Sequence, residues 1–202
     1  MSFDILFPEE VSRNNNLQEE VRPAGPNVTI KVIGVGGGGV NAINSMIMAK
    51  VSDVEFYAIN TDQSMLSKSY CDNKIQIGKD GLGVGGDPQK GKECANESIE
   101  DLKDMLSGAN MIFITTGMGG GTGTGAAPVI AKLAKEQGIL TVGVVTRPFT
   151  HEGQIRIDNA EKGIKEIKQY TDALIIIPND NAYKYIDEKV PLDIAFGTID
   201  QV

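Results

Sequence analysis

Histidine occurs once in the 202 residues, at His151, and cysteine twice, at Cys71 and Cys94. The cysteines have 22 residues between them and no second pair, which makes neither a zinc pattern nor a redox CxxC, so both are expected to be reduced thiols. No carboxylate and nucleophile accompany the lone histidine in a triad pattern, which excludes histidine-based nucleophilic catalysis as the sequence's main chemistry. Basic residues are also short: 19 Lys and Arg stand against 27 Asp and Glu, for a formal charge of -8, and they form no cluster. Neutralising a phosphate backbone needs a basic surface, so nucleic acid is excluded as a partner. No stretch of about 20 apolar residues exists, and Met-Ser-Phe-Asp-Ile-Leu-Phe-Pro-Glu-Glu lacks the basic start and apolar segment of a signal peptide. A cytoplasmic protein without direct membrane insertion is expected.

The chain does have enough material for a core. Hydrophobic residues make up 41% and charged residues 23%, ordinary for a globular protein, and the length suits one sizeable α/β domain. Glycine is in excess, with 24 residues, and its distribution is informative. Five glycines lie in 34–39, six in 78–91 and six in 117–125, which places the surplus in three loops where backbone must approach something closely.

Residues 1–27, with three consecutive asparagines and Pro-Ala-Gly-Pro, show no apolar period and read as a flexible arm. From Val28 onward, short β-rich runs alternate with helical patterns. That alternation predicts an α/β fold with a mostly parallel sheet and helices on both faces, in three Rossmann-like layers. Strands are expected at 28–35, 54–60, 73–77, 111–115, 139–145 and 173–177. Several read as continuous apolar runs, as strands covered on both faces do. Helices are expected at 40–50, at 88–106 behind an Asp87 cap and Pro88, at 125–137 with Gly138 as the stop, and at 154–170. A last helix begins near Leu192.

Three glycine-bearing segments compete for a ligand. Gly34-Val-Gly-Gly-Gly-Gly39 lies between a strand and a helix and satisfies GxGxxG, in which amides reach a pyrophosphate at a helix N-terminus. A dinucleotide enzyme should then carry an acid about 20 residues on, at the end of the second strand. That strand instead ends in Asn60-Thr61-Asp62, which is late for the role. Gly86-Asp-Pro-Gln-Lys-Gly91-Lys92-Glu93 imitates a P-loop but has Glu93 where a magnesium-binding Ser or Thr is needed. Gly117-Met-Gly-Gly-Gly-Thr-Gly-Thr-Gly125 follows a strand and runs into a helix, so glycine amides, two threonine hydroxyls and a helix dipole converge.

The run GGGTGTG resembles the signature of the FtsZ branch of the tubulin superfamily, and the resemblance extends over residues 28–202. Gly36 to Asn41 is similar to the first phosphate loop of that family, Asn60-Thr61-Asp62 to the second, and Gly81 to Pro88 to the third. Pro148-Phe149, Glu152-Gly153 and Arg156 resemble its sugar-side loop, Pro178 to Asn181 the next, and Ala195-Phe196-Gly197 the start of a central helix. The resemblance implies GTP or GDP, with Mg2+ alongside GTP, bound by Gly36, Gly37, Gly38, Gly39, Val40 and Asn41, by Gly120, Gly121, Thr122, Gly123 and Thr124, and by Glu152, Arg156, Asn179, Phe196 and Asp200. Within that set Glu152 would accept from the ribose hydroxyls, and Asp200 and Asn179 would meet the guanine edge beside Phe196. Taken by themselves, Glu152 and Arg156 read as readily as a solvated ion pair, Phe196 as a core residue and Asp200 as an exposed acid.

Two positions depart from the family pattern. His151 stands where an aromatic is usual and is expected to pack or stack, and Val40 stands where many relatives have glycine and is expected to alter the fit of the first loop. The resemblance further implies head-to-tail self-association into filaments, hydrolysis completed by an acidic loop of the neighbouring subunit, a role in septum assembly at mid-cell, and division-site adaptors bound through a C-terminal tail. The chain ends at Val202 without a helix stop signal, so the acidic loop, second domain and tail are expected to lie beyond it. No catalytic or metal-binding residue is therefore assigned within these 202 residues, and binding without efficient turnover is expected.

Overall fold

The computed structural model describes residues 28–184. The proposed arm, the helix expected from Leu192, and Phe196 and Asp200 lie outside the described residues. Six strands form one sheet: β1 (Ile30–Val35), β2 (Glu55–Asn60), β3 (Asn73–Gln76), β4 (Met111–Gly117), β5 (Leu140–Arg147) and β6 (Ala173–Pro178). The order is β3-β2-β1-β4-β5-β6 and every pairing is parallel, with Lys31 opposite Glu55 and Val35 opposite Thr116 in the central registers. The expected sheet is thus present and is parallel throughout.

Parallel strands need crossovers, and six helices supply them: α1 (Gly36–Met48), α2 (Gln63–Ser67), α3 (Pro88–Glu97), α4 (Ile99–Leu106), α5 (Thr122–Glu136) and α6 (Gln154–Ile167). Alternate strand residues sort into two cores. Val32 and Ala58 pack with Val40, Ile43 and Leu66 of α1 and α2, while Ile33, Val35 and Ile59 pack with Leu102, Ala126, Ile130 and Ile164 of α4, α5 and α6. These are the three layers that the strand-and-helix alternation predicts.

Local chemistry explains where the elements depart from expectation. The helix expected over 88–106 breaks at Ser98, whose φ of -107° and ψ of 23° leave the helical region and whose Oγ accepts from the Gly78 N–H at 3.2 Å. The break lets α4 turn Leu102 and Leu106 fully into the core. The short α2 was not expected; Asp62 creates it by accepting from the Ser64 and Met65 amides. Gly138, at φ +72°, ends the helical stretch after α5 as expected.

The C-terminal end of α4 is tied to β1 by Lys31, which is 5% exposed. Its Nζ donates to the carbonyls of Met105 at 2.7 Å and Ser107 at 2.9 Å, and lies 3.7 Å from Glu55. A cation thereby satisfies carbonyls that the helix end leaves free.

Candidate functional site

In this strand order, the chain leaves β1 toward β2 in one direction and β4 leads to β5 in the other, so a crevice opens between the C-terminal ends of β1 and β4. A cavity of about 460 Å3 occupies that place, within the range of small-ligand sites. Both glycine-rich segments reach it from strand ends, Gly36–Gly38 after β1 and Gly117–Gly123 after β4.

These glycines divide by what a side chain would meet. A Cβ on Gly34 would lie 2.4 Å from the Gly39 carbonyl oxygen and one on Gly39 would lie 2.3 Å from that of Thr115, so this pair allows α1 to sit directly on β1 and β4. A Cβ on Gly125 would lie 2.0 Å from the Pro88 oxygen, so it lets α3 and α5 pack backbone to backbone. Gly37 and Gly120 differ: Gly37 meets only the end of Met65 at 3.9 Å, and Gly120 meets nothing within 4 Å. Their open sides face space that a ligand can occupy.

Helix ends supply the electrostatics. Asp62 caps α2 and Asp87 caps α3, and α4 has Glu100 and Asp101 in its first turn. Two helices that begin at the cavity, α1 and α5, have neither a side-chain cap nor a first-turn acid, and α6, whose Arg156 lines the same cavity, also lacks both. Orphan N–H groups and two positive dipole ends therefore point at one crevice, an arrangement suited to an anion.

Threonine hydroxyls brace this arrangement. Thr116 Oγ1 donates to the Val35 carbonyl at 2.9 Å, the hydroxyls of Thr61 and Thr122 are 2.7 Å apart, and the Gly119 N–H donates to Thr124 Oγ1 at 2.8 Å. Thr61 lies in the buried Asn60-Thr61 pair at the end of β2, and Asn60 Oδ1 accepts from the Thr61 amide.

Across the cavity stand Glu152 and Arg156. Glu152 Oε1 accepts from the Phe149 N–H at 2.8 Å, and its Oε2 lies 2.7 Å from Arg156 Nη1. The ion pair is half exposed on the arginine side and contributes little stability by itself. His151 stacks on Phe149, with ring centroids 5.1 Å apart, in the packing role expected of it. Asn179 completes this side, and its Oδ1 is buried without a hydrogen-bond partner, an open acceptor beside the cavity.

Of the residues singled out in the sequence, Gly36, Gly37, Gly38, Asn41, Gly120, Thr122, Gly123, Glu152, Arg156 and Asn179 line the cavity. Four others do not, because α1 and α5 begin earlier than expected. Gly39 and Gly121 are packing glycines, Val40 is 1% exposed in the core under α1, and Thr124 serves Gly119. The Val40 side chain accordingly acts on the core rather than on the fit of the loop. Sequence reasoning missed Ala42, Met46, Met118, Thr146 and Ile177. Met46 was accessible as the residue one turn beyond Ala42 on α1, and Thr146 and Ile177 as C-terminal strand positions.

Two competing motifs dissolve in the structure. Asp62, the only acid near the end of β2 that a dinucleotide ribose could use, accepts from two amides of α2 through Oδ1. In the imitation P-loop, Asp87 caps α3 and a Cβ on Gly91 would lie 2.4 Å from the Gly121 oxygen, so the segment packs the second glycine loop. Cys71 and Cys94 are both free, and burial pushes both thiols up from their ordinary values.

A family model described as the Tubulin/FtsZ family, GTPase domain, matches residues 29–187. Among solved structures, an empty FtsZ dimer from M. jannaschii is 45% identical with a TM-score of 0.82, covering 86% of this chain and 51% of that one. CetZ1 from Haloferax volcanii, a GDP-bound monomer, is 25% identical with a TM-score of 0.77, covering 86% of this chain and 57% of that one. CetZ2 from the same organism, a GTPγS-bound protofilament, is likewise 25% identical, with a TM-score of 0.76 and coverage of 86% and 55%. The chain spans about half the length of the solved structures it matches. No helix among the described residues is long and apolar enough to cross a membrane. The chain belongs to the Tubulin/FtsZ family and carries that family's GTPase domain over residues 29–187.

Proposed function

We propose that the chain binds GTP and GDP in the β1–β4 cavity and is the nucleotide domain of a filament-forming GTPase of cell division. The observation that supports this most strongly is the convergence of two uncapped, acid-free helix N-termini on one crevice whose open glycine sides and orphan Asn179 oxygen await partners. The amides of Gly36–Gly38, Gly120, Thr122 and Gly123 take the phosphates, Glu152 accepts from the ribose hydroxyls with Arg156 beside it, and Asn179 meets the guanine edge. Phe196 and Asp200, outside the described residues, belong to the same proposal as the aromatic and acidic partners of the base. Two of the matched structures were solved with guanine nucleotides, one as a monomer and one as a protofilament.

GTP supplies a phosphoanhydride bond, and what the chain adds is positioning and charge stabilisation. Among the described residues that line the cavity, Glu152 is the one acid, and this reading assigns it to the ribose. We therefore assign the positioning of the attacking water to an acidic loop of a neighbouring subunit stacked head to tail. The magnesium ion that accompanies GTP is held chiefly by phosphate oxygens and water. Such a heterologous contact propagates rather than closes, which links nucleotide state to filament state. Septum assembly at mid-cell, and adaptors bound through a C-terminal tail, belong to this proposal for the whole protein.

Isothermal titration of the nucleotide-free chain with GDP and ADP tests the binding claim. Guanine-selective binding that weakens in Asn179→Ala is expected; equal affinity for the two, or no affinity for either, overturns it.

A further inference from the structure

One pair of contacts lies just behind the cavity wall and is not explained by binding alone. The Thr150–Glu152 turn and the Asn179–Lys184 turn come from different strand ends, β5 and β6. They are joined through Thr150 and Asp180: the Thr150 N–H donates to Asp180 Oδ1 at 3.1 Å, and the Thr150 hydroxyl donates to Asp180 Oδ2 at 2.5 Å. Both carboxylate oxygens are used on one residue 30 positions away.

What this lock holds is specific. On one side it fixes the turn carrying Glu152, whose Oε1 takes the Phe149 amide, so consecutive amides at 149 and 150 each have a carboxylate partner. On the other side, Asp180 directly follows Asn179, whose buried Oδ1 is the unpartnered acceptor. Glu152 and Asn179 both line the cavity, and Asp180 does not.

We propose that Asp180 is a positioning residue: by clamping Thr150 it sets the distance between Glu152 and Asn179, so that sugar and base of one nucleotide are gripped together. This rests on the guanine-nucleotide reading given above. Charge-assisted hydrogen bonds are short and geometrically demanding, which suits a spacer that must not slide. The contacts to Thr150, with a smaller contribution from the nearby His151, hold the Asp180 carboxyl below its ordinary value, consistent with a carboxylate committed to donors. Without the lock, two loops from two strand ends would each find their own position, and the sugar-side contact would lose its register with the base-side one.

The test compares GDP with 2′,3′-dideoxy-GDP, which lacks the ribose hydroxyls, on the whole chain by titration calorimetry with parallel thermal unfolding. The intact protein should prefer GDP by about tenfold or more, the order expected for a hydrogen bond to a carboxylate. Asp180→Ala, which removes both acceptors, should lose most of that preference, with dideoxy-GDP affinity little changed. Thr150→Ala should reproduce the loss, Thr150→Ser should restore the preference, and the Asp180→Ala, Thr150→Ala double variant should be no worse than either alone. If Asp180→Ala does not fold, Thr150→Ala and its Thr150→Ser rescue decide the matter. A full GDP preference in either folded variant overturns the clamp while leaving the nucleotide site intact. An intact protein that binds no GDP overturns both.

Discussion

Replacing glycine by alanine at two positions of the second glycine segment should separate binding from folding. Gly125→Ala places a Cβ 2.0 Å from the Pro88 oxygen and 2.6 Å from the Lys92 nitrogen, both backbone atoms that no rotamer change can move. Relief requires α3 to shift away from α5 by more than 1 Å toward ordinary contact, and overpacking of this kind costs about 1–3 kcal/mol. A domain of this size loses about 2–4 °C in Tm per kcal/mol, so a drop of about 2–12 °C is expected. Gly120→Ala meets nothing within 4 Å and has no positive φ, so its Tm should stay level or rise slightly as the unfolded chain loses freedom. Its methyl group projects into the space assigned to phosphate, and GDP affinity should fall at least tenfold. Differential scanning calorimetry and GDP titration on both variants check this. A Gly120→Ala protein with full affinity, or a Gly125→Ala protein with unchanged Tm, would refute the division into binding and packing glycines.

Three further outcomes follow from particular contacts. Lys31→Met leaves the Met105 and Ser107 carbonyls without their cation, so stability measured by urea unfolding should fall by about 2 kcal/mol. GDP affinity should hold in that variant, because Lys31 lies at the opposite end of β1 from the cavity. Thr61→Val removes the hydroxyl paired with Thr122 at 2.7 Å, so GDP titration should show weaker binding, with a stability loss of about 1–2 kcal/mol for the buried partner left behind. Asp180 has a folded value lowered by its Thr150 contacts, so its stabilising contribution is complete above the ordinary carboxyl value of about 3.9 and is lost as pH falls through the lower folded value. A carboxyl carbon NMR titration should therefore place the Asp180 midpoint below the ordinary carboxyl value, and a midpoint at or above that value would contradict the committed carboxylate.

The fold was largely legible because its signals are periodic and local: apolar runs for buried parallel strands, Asp87-Pro88 for the start of α3, and Gly138 for the end of the α5 stretch. The Ser98 break was not, because it depends on a bond to the Gly78 amide 20 residues away. The glycine clusters correctly marked close approach but not what approaches. Gly34, Gly39 and Gly125 accommodate protein backbone, whereas Gly37 and Gly120 have open sides at the cavity. The role of Asp180 stayed hidden for the same reason as that of Ser98: the loops at 148–156 and 178–181 were singled out separately, and the bond from Thr150 that joins them spans 30 residues. Strand order could not separate a dinucleotide fold from this one; the use of Asp62 as a helix cap does.

The most direct test of the central claim is a crystal structure of the chain grown with GDP. The diphosphate is expected against the first turns of α1 and α5, with Gly37 and Gly120 at its surface and a donor from the nucleotide on Asn179 Oδ1. GDP found elsewhere, for example in the 840 Å3 cavity between the loop at 77–87 and α3, with the β1–β4 crevice left to water, would contradict it.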